Sequence, residues 1–119
     1  MGMVREEEIE KNLEYEEILY KYGKVISGLI PRLIILHIND TKDGMVQFSE
    51  LYDLLEIVNE TPGALSHYLR ELLLLGLLEK PPRTRGTYRI TEEGRKVARF
   101  IRRVIEILEE LNENQSSAP

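Results

Sequence analysis

The chain has 119 residues, 42% of them hydrophobic and 31% charged, with a formal net charge of -5 and no cysteine. That size accommodates one small domain with one core plus appended helices, and the balance is that of a folded rather than a disordered chain. The absence of cysteine excludes disulfides, thiolate zinc sites and cysteine nucleophiles; no apolar run approaches the roughly 18 residues of a membrane span, and the acidic start MGMVREEEIEKN does not read as a secretory signal, so a cytoplasmic protein is expected.

The cations are not evenly spread. Between Glu79 and Arg103 stand nine (Lys80, Arg83, Arg85, Arg89, Arg95, Lys96, Arg99, Arg102, Arg103) against Glu79, Glu92 and Glu93, a net +6, whereas the two ends are acidic. A basic island on an acidic molecule keeps a polyanionic partner in play despite the total.

In chain order, residues 5–24 predict a helix with a broken stripe of Ile9, Leu13, Ile18, Leu19 and Tyr22 among many glutamates. Such a helix is marginal alone, so residues 1–28 are expected to pack on the domain or on a second copy. Gly23 and Ser27-Gly28 punctuate the chain before LIPRLIILHIND, whose apolar residues run around the whole helix, so Leu29–Asn39 reads as a core helix. His37, within that run, is expected to be a packed or hydrogen-bonded core residue rather than a ligand. Asn39 to Gly44 is a turn whose spacing does not match a calcium loop. Met45 to Phe48 alternates as a very short strand, and Ser49 then caps a helix to about Asn59 with Leu51, Leu54, Leu55 and Val58 inward.

Thr61 to Leu78, TPGALSHYLRELLLLGLL, carries a helix start and stop: Thr61 as N-cap, Pro62 in the first turn and Gly76 as the exit. At about 100° per residue Leu65, Tyr68, Leu69, Leu72 and Leu75 share one arc, with Gly63, Ser66, His67, Arg70 and Leu74 opposite. The first half of the outer face is small and polar with one cation, suited to hydrogen bonding in a groove. Two helices joined by only Asn59-Glu60 have the form of a helix-turn-helix.

Leu77–Lys80 and Thr87–Ile90 are short strand candidates around Pro81-Pro82 and Gly86, a β-hairpin with a basic tip lying at an edge. Thr91 caps a final helix over 92–112, with Glu92 and Glu93 opposing the positive end of its dipole. Val97, Ile101, Val104, Leu108 and Leu111 are spaced 4, 3, 4 and 3, widened by Phe100, Ile105 and Ile107, as in a helix that packs lengthwise on another. Residues 113–119 read as a frayed tail. Dimerisation is therefore expected through Ile9, Leu13, Val97, Ile101, Val104, Leu108 and Leu111, with a helix of one domain's own core as the alternative.

The segments TPGALSHYLRELLLLGLLEK and RGTYRITEEGRK make the chain resemble transcriptional regulators of the MarR, ArsR and PadR type, over about Leu29 to Leu111. The resemblance implies a mainly α fold with a small β-hairpin wing, a winged helix-turn-helix core at 29–91 with extra N- and C-terminal helices, working as a homodimer on double-stranded DNA. It places Thr61, Gly63, Ala64, Ser66, His67 and Arg70 at the major groove and Arg83, Thr84 and Arg85 at the wing tip, with Arg89 behind them. It also implies a small-molecule effector between core and dimer helices, for which Tyr15, Tyr20, Tyr22 and Tyr52 are candidates, packing being their other use. Glu71, Leu73 and Leu74 depart from the pattern, since cations or charged residues are usual there. The competing reading is a protein-interaction module built on Leu73, Leu74 and the acidic first helix. With histidines only at 37 and 67, no glycine-rich phosphate loop and no HExxH spacing, no catalytic constellation, metal site or cofactor is expected.

Overall fold

The computed structural model describes residues 5–116. It contains helices α1 (Glu6–Ser27), α2 (Leu29–Asp40), α3 (Tyr52–Val58), α4 (Pro62–Leu74) and α5 (Glu92–Ser116), and strands β1 (Met45–Gln47), β2 (Leu78–Glu79) and β3 (Thr87–Ile90). A 3₁₀ turn, Phe48–Leu51, joins β1 to α3. No helix among the described residues is long and apolar enough to cross a membrane.

The first helix runs past the expected end at Lys24 and straight through Gly23. Tyr22 and Val25 are buried there, and burying side chains of that size outweighs the roughly 1 kcal/mol that a mid-helix glycine costs. Gly28 is the true break: its extended backbone separates α1 from α2, and its amide donates to the Lys24 carbonyl at 2.8 Å.

At the centre lies α2, with Pro31, Ile34, Ile35, Leu36 and Ile38 buried. His37 is not a core residue as expected; it falls with Leu29 and Asp40 on the side left in solvent. Buried around α2 are Leu51 and Leu55, then Leu65, Leu69 and Leu72 of α4, Leu77 and Leu78, and Val97, Ala98 and Ile101 of α5.

Ser49 does not cap the following helix. The 3₁₀ turn starts earlier, on Gln47, whose amide donates to Glu50 Oε2 at 3.2 Å while its own side chain accepts from the Glu50 amide. This reciprocal arrangement satisfies two first-turn donors and leaves Ser49 inside the turn.

The expected hairpin is joined by β1, which pairs antiparallel with the other side of β3 to give the order β1-β3-β2. Thus β3 is the central strand rather than half of an edge pair. Val46 lies opposite Tyr88, both buried, and Leu78 opposite Ile90, also buried. Pairing extends beyond β1 through Ile90 N–H to the Gly44 carbonyl (2.9 Å) and Phe48 N–H to the Gly86 carbonyl (2.7 Å).

Two glycines hold the junctions. Gly76, at φ +74°, ends α4 with the Leu77 amide donating to the Leu72 carbonyl at 3.0 Å, so the chain drops at once into the core as Leu77. Gly94, in the first turn of α5, faces the Leu77 carbonyl so closely that a Cβ would lie inside its contact distance and 2.6 Å from Ile90 Cγ1. Between them Thr91 caps α5, accepting from the Gly94 amide at 3.0 Å and donating to the Gly76 carbonyl at 2.6 Å.

The helix expected to end at Asn112 continues to Ser116, so 113–116 are helical; 117–119 of the proposed frayed tail, like 1–4, lie outside the described residues. The radius of gyration is 17.3 Å, against about 13.5 Å for a compact chain of this length. The excess comes from the first half of α1 and the last part of α5: residues 6–14 and 106–114 are exposed throughout.

Candidate nucleic-acid interface

Helix α4 begins as its sequence dictates. Thr61 has extended backbone and its Oγ1 accepts from the Ala64 amide at 3.2 Å. Pro62 has no amide hydrogen and Ala64 is capped, which leaves Gly63 as the first-turn donor toward an outside acceptor. The inward arc buries Leu65, Leu69 and Leu72, with Tyr68 and Leu75 half-buried. Outward stand Gly63, Ser66, His67, Arg70 and Leu74, all exposed, with Ala64 half-buried at the margin.

Two side chains sharpen that face. His67 Nε2 lies 3.2 Å from Glu71 Oε1 and its ring meets Tyr68 edge to face. It is turned to one flank, where it lines a shallow pocket of about 370 Å³ with Lys24, Glu60 and the α1–α2 junction. The pair Leu73-Leu74 is divided: Leu73 packs on the core, whereas Leu74 is 80% exposed and in line with Gly63 and Arg70.

In the β2–β3 loop Pro81 is buried and Pro82 to Gly86 are exposed. The Thr84 hydroxyl donates to the Pro81 carbonyl at 2.7 Å, closing a turn in which Arg83 takes a left-handed φ of 63°. Thr84 therefore shapes the loop, and Arg83 and Arg85 project from it. Neither arginine has an ion pair among the described residues, nor does Arg70. Arg89 differs: it faces Glu79 across the sheet, Nε to Oε1 at 2.8 Å, so its charge is matched on the strand and not carried to the tip. Lys80 places its ammonium 5.7 Å from the centre of the Tyr88 ring.

The basic island of the sequence is thereby split. Arg95 donates to Asn39 Oδ1 at 3.2 Å and Arg102 pairs with Asp40, tying the end of α2 to α5. Lys96 pairs with Glu93 and Arg103 with Glu106. The Arg95 and Arg102 contacts, 56 and 62 positions apart in sequence, have no local signal. No group of three potential metal ligands occurs among the described residues.

Of the residues expected to dimerise, Val97 and Ile101 are buried in this chain's own core, because the start of α5 packs on α2 and α1. Val104 is half-buried, and Ile9, Leu13, Leu108 and Leu111 are exposed. An apolar groove of about 610 Å³ opens between α1 and α5, lined by Tyr15, Ile18, Leu19, Tyr22 and Phe100 among others. The four tyrosines proposed for an effector do not converge: Tyr15 and Tyr22 line this groove, Tyr20 is 93% exposed, and Tyr52 stacks edge-on against Phe48. Neither a protein-family model nor a curated protein matches the sequence at a significant level.

Proposed function

We propose that the chain is a winged helix-turn-helix transcriptional regulator, a cytoplasmic homodimer that sets α4 of each copy in one of two major-groove half-sites of double-stranded DNA. In this reading Ser66 and Arg70 address base edges or phosphates, the Gly63 amide meets a phosphate, and the β2–β3 loop is the wing, its Arg83 and Arg85 on the minor groove or backbone. His67, held by Glu71, contributes at the margin. Binding, not catalysis, is the activity.

The observation that carries this reading is the exposed, small and polar arc at the start of α4 on the same molecule as a loop whose two arginines have no ion partner among the described residues. Within the basic island Arg89, Lys96, Arg102 and Arg103 are matched by carboxylates, whereas Arg83 and Arg85, like Arg70 on α4, have no ion pair among the described residues. The test is binding-site selection followed by affinity measurement over a salt series. A specific duplex bound with steep salt dependence is expected; no binding even at low salt refutes the reading.

Leu74 favours a second reading, a protein-interaction module, since a large apolar side chain 80% exposed at the far end of the outer face is unlike a DNA surface. It predicts a stable hetero-complex and negligible DNA affinity, which the same measurements with a sizing run distinguish.

A further inference from the structure

On α5 the apolar residues form two faces rather than one. Gly94, Val97, Ala98 and Ile101 enter the core, whereas Phe100, Val104, Ile107 and Leu111, spaced 4, 3 and 4, lie about 90° round the helix. On this second line Phe100, Ile107 and Leu111 are 48%, 41% and 53% exposed. Along its free edge run Lys96, Arg99 and Arg103, followed by Glu106, Glu110 and Glu113. The edge is thus positive in its first half and negative in its second.

A stripe with that polarity is complementary to itself when reversed. We propose that α5 pairs antiparallel with α5 of a second copy about a two-fold axis between Val104 and Ile107, with the far end of each α5 seated in the other's α1–α5 groove. Phe100 of one copy then lies against Leu111 of the other, and Arg99 and Arg103 face Glu110 and Glu113. A parallel two-fold pair puts the two charged edges on opposite sides of the seam, where they do not meet, so only the antiparallel arrangement uses their complementarity. The interface is isologous, as a closed dimer requires.

The area suffices. Tyr15, Ile18 and Leu19 in the groove and Phe100, Ile107 and Leu111 on the stripe are each about half exposed. With Leu108, side chains of this size offer on the order of 600 Å² per copy, or roughly 1,200 Å² in all, the lower bound for a specific interface. Pairing also covers the protruding end of α5. Ile9 and Leu13 take no part, since they lie on the side of α1 turned away from the groove residues.

This inference rests on the homodimer of the preceding reading and not on its DNA contacts. The chain has no cysteine, so single cysteines report proximity cleanly. The variants Phe100→Cys and Leu111→Cys, differently tagged and checked for unchanged helicity, are oxidised alone and mixed, without DNA. At least a ten-fold excess of the unlike cross-link is expected. Sedimentation should show that Arg99→Glu with Arg103→Glu dissociates the dimer and that adding Glu110→Arg with Glu113→Arg restores it. Like-with-like cross-links, coupling of Phe100→Cys to Ile9→Cys, or a wild-type monomer at every concentration overturns the proposal. A chain that cross-links as expected yet binds no DNA refutes the DNA reading alone.

Discussion

Removing the two loop arginines separates charge from fold unusually well. Arg83 sits at φ 63°, where a side chain is strained and glycine is not, so Arg83→Gly is expected to stabilise the chain by about 0.5–1 kcal/mol. Arg85 is exposed, and Arg85→Ala costs little. The double variant Arg83→Gly/Arg85→Ala therefore loses two unpaired cations per copy without loosening the fold. If each meets a phosphate, a dimer loses four contacts, and the slope of log K against log salt becomes shallower by about 3.6. Between 50 and 200 mM salt the fall in affinity shrinks by a factor of ~150. Fluorescence anisotropy with the selected duplex reads the slope, and Arg89→Gln is the comparison, expected to leave it nearly unchanged because Glu79 already matches that charge. A double variant with the wild-type slope would remove the β2–β3 loop from the DNA surface.

Three further outcomes test the framework. Gly94→Ala should destabilise by about 3 kcal/mol, read by thermal unfolding, because its methyl group meets the Leu77 carbonyl and Ile90; a change below about 1 kcal/mol would show that α5 does not start so close to β2. Thr61→Ala should cost about 1 kcal/mol through loss of the cap on Ala64, while Thr61→Ser keeps most of it; equal stability of all three forms would argue against the cap. His37→Ala should stay within about 0.5 kcal/mol in chemical denaturation, and a larger loss would return His37 to the core.

The elements most legible in the sequence are those whose signal is local. Thr61, Pro62 and Gly76 fix α4 because cap, first-turn proline and left-handed exit act within one or two turns, and the observed helix obeys them. Thr91 defines the start of α5 for the same reason. What escaped the sequence depends on distant partners. A three-residue β1 has too little pattern to reveal that it pairs with β3 across some forty positions. The 4-3-4-3 spacing on α5 marks an apolar stripe but does not say whose surface it meets; its first half turns inward while Leu108 and Leu111 are exposed. His37 was misplaced because an apolar run suggests burial on every side, while the packing around α2 leaves one side open. At the candidate interface the residues on α4 were legible from rotation alone; the withdrawal of Arg89, Arg95 and Arg102 into contacts with Glu79, Asn39 and Asp40 was not.

Leu74 is the residue on which the two functional readings part, because it lies on the line of Gly63 and Arg70 but is chemically unlike them. If α4 enters a groove, a residue one turn beyond Arg70 stands near the sugar-phosphate backbone, where an apolar side chain adds little and a cation adds a phosphate contact. Leu74→Lys should then tighten DNA binding and steepen the salt slope by up to about 0.9 per copy. Its fold should be indifferent, since the side chain is 80% exposed and carries no core contact. If instead Leu74 anchors a protein partner, the same substitution places an ammonium in a desolvated contact and abolishes the hetero-complex, with no gain on DNA. The sign of the change on DNA decides: an exposed leucine that can be exchanged for a cation to advantage was never the centre of the binding surface.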